Sequence, residues 1–214
     1  LDLFKLSNTG SGNFALVGNG GPVTLNLGST AGGGLSIPNG STFNLGNNEL
    51  AIAWAGTING ANETGQIAVN GGTLNITSTS GINSNLRFSS GANTLHTLAQ
   101  NLTGSGTVHV HNAVNITDAV KITDGDLYSN GNITLLSTEN KTAHLQQIEN
   151  DGRVYGAMNV KRYMSSKSRV YRYISSSVEG VTIADWQEHF PITGNFPQTS
   201  TGAGLTTQPS LFVF

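Results

Sequence analysis

The chain has no cysteine, few charged residues and no long apolar run. Zero cysteines exclude disulfides, cysteine zinc sites, thiol catalysis and redox work. A large repetitive fold does not need covalent staples the way a small domain does. Charged residues make up 10% of the 214, against a usual share of about 25%. The net charge of −2 and pI near 6.2 give no general nucleic-acid footprint. No stretch approaches the ~20 apolar residues of a membrane-spanning helix. The chain starts at Leu1-Asp2-Leu3-Phe4, without an initiator Met or signal peptide, and stops at Leu211-Phe212-Val213-Phe214. It reads as a fragment whose targeting signals lie outside it.

What is present is Gly (28 residues) together with abundant Asn, Ser and Thr. These residues favour tight turns and polar strand faces over helices. Disorder is the competing reading, and recurring Val, Ile, Leu and Phe at strand spacing oppose it. The hydrophobic share of 36% allows a core, but a thin and repetitive one.

Charge divides the chain. Up to Asp118 the only charged residues are Asp2, Lys5, Glu49, Glu63, Arg87 and Asp118. Six basic residues then fall between Arg153 and Arg172. These patterns predict a boundary near 150, with a β-solenoid over 1–150 and the start of a truncated β-sandwich-like module over 151–214.

The first part carries a degenerate unit: an apolar residue, Asn, Leu or Ile, then Gly or Thr. It occurs as Leu25-Asn26-Leu27-Gly28, Phe43-Asn44-Leu45-Gly46, Leu74-Asn75-Ile76-Thr77 and Val114-Asn115-Ile116-Thr117. Weaker copies sit at Gln100-Asn101-Leu102-Thr103 and Gly131-Asn132-Ile133-Thr134. Steps of roughly 14 to 31 residues belong to repeat architectures. Apolar residues alternate around each unit, as a strand with one buried face requires. Asn-Gly turn signals at Asn19, Asn39, Asn59, Asn70 and Asn130 separate the strands. The expected fold is all-β: a parallel β-solenoid, or β-helix, in which each coil buries its apolar stripe on the next. An antiparallel sandwich is the alternative. Asn within the coils is expected to bond along a ladder, with Gly at the corners.

In the second part, Arg153–Tyr163 reads as one alternating strand and Arg169–Ile174 as its hairpin partner. Thr182–Phe190 reads as the only helix, capped by Thr182 with Asp185 three residues on and ended by Pro191. Ile183, Trp186 and Phe190 share a face.

These residues carry a resemblance. Gly152-Arg153-Val154-Tyr155-Gly156-Ala157-Met158-Asn159-Val160-Lys161-Arg162-Tyr163 resembles a motif of very large surface proteins exported by type IX secretion. So do Arg172-Tyr173-Ile174-Ser175-Ser176-Ser177-Val178, Thr182-Ile183-Ala184-Asp185-Trp186, Ile192-Thr193-Gly194-Asn195-Phe196 and Pro209-Ser210-Leu211-Phe212. In that family the module follows Gly/Asn/Thr-rich repeats, and many members are adhesins or gliding-motility proteins. The resemblance is close over the last third only. It implies a secreted protein on the outer-membrane exterior. Its implied partners are surface glycans, other cell-surface proteins and outer-membrane export components of the type IX route. The family's C-terminal sorting domain is not in this sequence, and no functional residue carries over.

Several residue groups offer candidate chemistry. His109 and His111 project from one strand face and resemble a two-imidazole metal pair, but no third ligand is evident. Asp118, Asp124 and Asp126, with Asn130 and Asn132 following, resemble the acidic sets of solenoid lyases and calcium sites. An Asp124-Gly125-Asp126 turn explains the same residues, and only Lys121 offers a nearby cation. The basic aromatic stretch from Lys161 to Tyr173 resembles a nucleic-acid patch, which cross-strand pairing accounts for without a ligand. Sequons at Asn62, Asn75, Asn101, Asn115, Asn132 and Asn140 coincide largely with the repeat. Stacked aromatics beside paired carboxylates would favour a carbohydrate-active enzyme or glycan-binding module, but the Tyr, Trp and Phe are scattered. The expectation is therefore a non-catalytic structural or adhesive stalk. No catalytic, cofactor-binding or metal residue, no cofactor, no nucleic-acid partner and no membrane span is expected.

Overall fold

A computed structural model describes residues 34–165, apart from 55, 56, 60, 61, 63, 79–82, 104 and 105, and in addition 5–7, 13–15, 24–27, 176 and 179–188. The chain forms two compact units, Leu1–Ser166 and Lys167–Phe214.

The first unit is a parallel β-solenoid with three faces, called first, second and third in the order the chain visits them in each turn. One turn holds β1 (Lys5–Ser7), β2 (Asn13–Ala15) and β3 (Thr24–Leu27); the next holds β4 (Gly34–Ser36), β5 (Thr42–Gly46) and β6 (Glu49–Trp54). After β7 (Thr57–Ile58), the long strand β8 (Gln66–Ser78) covers both remaining faces. The same plan repeats with β9 (Asn83–Leu86) and β10 (Phe88–Asn101), then with β11 (Thr107–Val110) and β12 (Val114–Asp124). Next come β13 (Asp126–Tyr128), β14 (Ile133–Leu135) and β15 (His144–Leu145), and β16 (Arg153–Tyr155) and β17 (Met158–Val160) follow. Each strand pairs in parallel with its counterpart one turn away. The antiparallel sandwich is thereby excluded for this unit. The one antiparallel bridge among the described residues, Ser137 to Thr142, closes a small surface loop.

Alternation dictates what faces the axis. In β5, Phe43 and Leu45 are buried while Asn44 points out. In β8, Leu74 and Ile76 are fully buried on either side of the half-exposed Asn75. Parallel register then stacks like on like. Leu50, Leu74, Leu98 and Val120 form one row through four successive turns. Each such side chain contributes about 1.5–3 kcal/mol through removal from water. The repeat's Asn therefore lies on the outer surface, which corrects the expectation of an internal Asn ladder. The bonding asparagines occupy the corners instead. Asn59 adopts a left-handed conformation (φ 51°) and is buried. Its Oδ1 accepts from Ile37 N (2.8 Å) and its Nδ2 donates to Gly65 O (3.0 Å). Asn112 bonds both Phe88 N and Phe88 O one turn below, at 2.7 Å each. Corner amides thus satisfy backbone groups that the faces cannot reach.

One row contains an exception. Ile52, Ile76, Gln100 and Ile122 align, and Gln100 is 2% exposed among them. Its Nε2 donates to Asp124 O at a long 3.3 Å, while its Oε1 is buried without a partner. Asp124 O also accepts from Leu102 N (3.0 Å), so it does not depend on Gln100. Gln100→Leu should therefore stabilise the unit by about 1–2 kcal/mol, because an unpaired buried acceptor disappears. A rise in melting temperature checks this; a fall would show that the amide is paired in solution.

The solenoid does not stop near 150. β16 pairs with β13 and β17 with β14, both in parallel. The expected single strand Arg153–Tyr163 is two strands on two faces. Gly156 (φ 87°) makes the corner between them, where a Cβ would lie 2.9 Å from Ser129 Oγ. The buried Ser129 hydroxyl sits within hydrogen-bonding distance of both Tyr155 O (3.0 Å) and Ala157 O (2.7 Å). A corner glycine inside an alternating run ended the strand where periodicity alone continued it.

Of the second unit, the described part is helix α1 (Ile183–Gln187) with its flanks. Thr182 caps it as expected. Thr182 Oγ1 accepts from Asp185 N (3.3 Å), and Asp185 Oδ2 accepts from Thr182 N (2.7 Å), which completes the capping box. The expected strand Arg169–Ile174 and the expected end of the helix at Phe190 and Pro191 lie outside the described residues.

Candidate functional site

Two groups of polar side chains gather on the solenoid surface. The first lies on the outer side of the face built by β9, β11, β13 and β16. In-register pairing aligns Asn85, His109, Tyr128 and Tyr155 in one row, and Asn83, Thr107, Asp126 and Arg153 in the row beside it. The His109 and Tyr128 rings stack at 4.5 Å and 7°, and Tyr128 and Tyr155 at 4.8 Å and 14°. These spacings match the strand separation, so both faces of Tyr128 and one face each of His109 and Tyr155 are covered by a neighbouring turn, while Tyr155 at the end of the row stays 39% exposed. His109 Nε2 lies 3.0 Å from Thr107 Oγ1, and Thr107 Oγ1 donates to Asn83 Oδ1 (2.7 Å). His111 Nε2 lies 2.9 Å from Asn85 Oδ1. The guanidinium of Arg153 is held further toward its charged form by the Tyr155 hydroxyl, then by the charges of Tyr155, Asp126 and Asp151.

Burial lowers the pKa of His109. Burial, then the charges of Arg87 and His109, lowers that of His111. Both imidazoles therefore take up protons more readily in the unfolded chain. Their contribution to stability is present above the ordinary histidine value, near 6.5, and is lost as pH falls through the lower folded values. The melting temperature should drop between pH 7 and 5. His109→Phe, which keeps a ring in the stack, should shrink that drop; an unchanged slope would count against His109 as its source.

The second group sits where the second face turns into the third. Asp118 Oδ1 is 2.9 Å from Lys141 Nζ, and Asp118 Oδ2 accepts from Thr97 Oγ1 (3.2 Å). His96 Nε2 lies 3.2 Å from Lys141 Nζ, and His96 Nδ1 lies 3.7 Å from Asp118 Oδ2. Lys141 belongs to the surface loop closed by the Ser137–Thr142 bridge, so these residues clamp three successive turns. The Lys141 hydrogen bond, aided by its charge and that of His96, holds the Asp118 carboxyl below its ordinary value despite partial burial. The same His96 nitrogen faces both Thr97 and Asp118, so no relay runs from carboxylate through imidazole to hydroxyl.

The acidic residues singled out from the sequence are not brought together. Asp118 is in that corner clamp. Asp124 ends the third face, with its Oδ1 accepting from Gly125 N (2.7 Å), which makes Asp124-Gly125-Asp126 a corner. Asp126 lies on the first face beside Thr107 and Arg153. Asn130 and Asn132 both donate from Nδ2 to Val110 O (3.1 and 2.9 Å). Among the described residues, no three His, Asp or Glu converge on one point. His109 and His111 share a face as expected, each nearer a polar neighbour than a common ligand position. A small polar recess of about 210 Å³ lies between Gly40, Ser41, Thr42, Thr64 and Gln66. Of the basic stretch, Lys161, Arg162 and Tyr163 are exposed, and the remainder from Lys167 to Tyr173 lies outside the described residues.

The aromatic row was missed in the sequence because Tyr128 and Tyr155 are far apart along the chain. A signal existed: Thr107-Val108-His109, Asp126-Leu127-Tyr128 and Arg153-Val154-Tyr155 share a polar, apolar, ring pattern. The Lys141 clamp had no such signal, since its loop interrupts the repeat.

No protein family, curated protein or solved structure matches the chain. Among the described residues, no helix is long and apolar enough to cross a membrane.

Proposed function

We propose that this chain is a structural or adhesive stalk segment of a large secreted or cell-surface protein, and that it turns over no substrate. The observation that carries the reading is the use of the outer-face side chains. The rings of His109, Tyr128 and Tyr155 stack in one row across successive turns, and Asp118, Lys141, His96 and Thr97 bond across turns. These groups tie one coil to the next instead of converging on a reacting atom, as catalysis would need. A stack whose neighbours brace one another in this way suits a spacer that holds binding modules at a distance. The resemblance of the last third supports placement on the outer-membrane exterior by type IX export. Surface glycans, other surface proteins or the export machinery are then its partners.

A glycan array and a polysaccharide-cleavage screen, each with and without calcium, test the reading on purified folded protein. The expected result is no cleavage of any polymer. Binding without cleavage would make the segment adhesive in its own right, and silence in both would leave a stalk. Cleavage abolished by Asp124→Ala or Asp126→Ala would overturn the proposal in favour of a carbohydrate-active enzyme.

A further inference from the structure

Asn-Gly corners invite a reaction that the fold either suppresses or permits. The Gly nitrogen, on losing its proton to water or hydroxide, attacks the Asn side-chain carbonyl carbon. A new N–C bond closes a succinimide and the side-chain nitrogen leaves as ammonia. Water then opens the ring at either carbonyl, giving Asp or isoaspartate. The fold controls this reaction by deciding whether the Asn amide is free to swing toward the next nitrogen.

Three Asn-Gly corners are described at both residues, and they differ in one respect. At Asn39–Gly40, the Asn39 Oδ1 accepts from Thr64 N (2.8 Å) and Thr64 Oγ1 (2.5 Å). At Asn130–Gly131, the Asn130 Nδ2 donates to Val110 O (3.1 Å). At Asn70–Gly71, both residues are exposed, and the Asn70 amide makes no hydrogen bond among the described residues. The backbone there is also out of the ladder. β10 pairs Thr94 with Asn70 and Leu95 with Gly72, so Gly71 is a bulge skipped by that neighbour. The neighbours on the other side pair with Val69 and then Thr73, and they skip it too. Nothing lies within 4 Å of where a Cβ would stand at Gly71, Gly40 or Gly131, so space is open at all three corners and the amide bonding separates them. At the buried Asn59, both ends of the amide are bonded.

We infer that, among the three Asn-Gly corners described at both residues, Asn70 is the one where the folded protein deamidates through a succinimide with Gly71. The product places a negative charge in a stretch, 64–86, that carries no charged residue, one turn from Glu49, which pairs with Thr73. Its isoaspartate form adds one main-chain carbon at a bulge, where a change of length does not alter the register of the faces.

The test incubates the folded protein at mildly alkaline pH and follows Asn70, Asn39 and Asn130 separately by fragment-ion mass spectrometry. The same chain in denaturant supplies each position's intrinsic rate. After that normalisation Asn70 should react roughly tenfold faster than Asn39 or Asn130, since each tied amide must first give up about one hydrogen bond. Asn70→Ser should remove the fast signal and leave the melting temperature nearly unchanged. Thr64→Ala, which removes one donor from Asn39, should raise the rate at Asn39 alone. Equal normalised rates at the three corners, or an Asn70 that reacts only in denaturant, would overturn the inference.

Discussion

Leu74→Ala should lower the stability of the solenoid unit by about 2–5 kcal/mol, the cost of a cavity in a core that cannot close over it. Leu74 is fully buried in the row Leu50, Leu74, Leu98, Val120. Backbone pairing holds the turns on both sides at fixed spacing, so neighbours cannot move in. A solenoid is stabilised by contacts between successive turns, so a defect in a middle turn weakens both of its interfaces at once. Thr73→Ala, on the outer surface of the same strand, should change stability by no more than about 0.5 kcal/mol. Urea unfolding followed by circular dichroism measures both. Similar small losses for the two variants would mean that the inward row is not the core.

Gly125→Ala should cost about 2–4 kcal/mol, from two sources. Gly125 has φ 83°, a left-handed conformation that costs an L-residue about 1–2 kcal/mol. A Cβ there would also stand 2.7 Å from Leu102 Cβ and 3.0 Å from the carbonyl oxygens of Gly106 and Leu102, an overpacking cost of about 1–3 kcal/mol. Gly131→Ala separates the two. Gly131 has φ 75° with nothing near its absent Cβ, so only the conformational cost of about 1–2 kcal/mol applies. Equal losses at the two positions would show that the corner at Gly125 is looser than its contacts imply. A larger loss at Gly125 supports reading Asp124-Gly125-Asp126 as a packed corner.

Much of the solenoid was legible in the sequence because its physics is local. Alternation set which side chains face inward, so the row through Leu74 follows from the unit Leu74-Asn75-Ile76-Thr77. Gly and Asn marked the corners because they tolerate a left-handed backbone. Two things were not legible. One is where an alternating run bends: Arg153–Tyr163 alternates throughout, yet Gly156 divides it because Ser129 one turn below fills the space that a side chain would take. The other is which residues meet across turns. Turn lengths vary, so the pairing of Thr97, Asp118 and Lys141 depends on a register that no single segment encodes. For the same reason the sequence placed Asp118, Asp124 and Asp126 as neighbours along the chain, whereas coiling distributes them over the first face, the third face and a corner. Gln100 breaks the apolar row through Ile76, and nothing in its own segment gives a reason for it.

We propose that the outer aromatic row serves the stack of turns and does not wait for a ligand. A double-mutant cycle on His109→Ala and Tyr128→Ala, read by thermal unfolding at pH 7, tests it most directly. Rings stacked at 4.5 Å should show a favourable coupling of about 0.5–1.5 kcal/mol, with each single variant destabilising the unit. Additive effects near zero would contradict the account and leave these rings free for a partner.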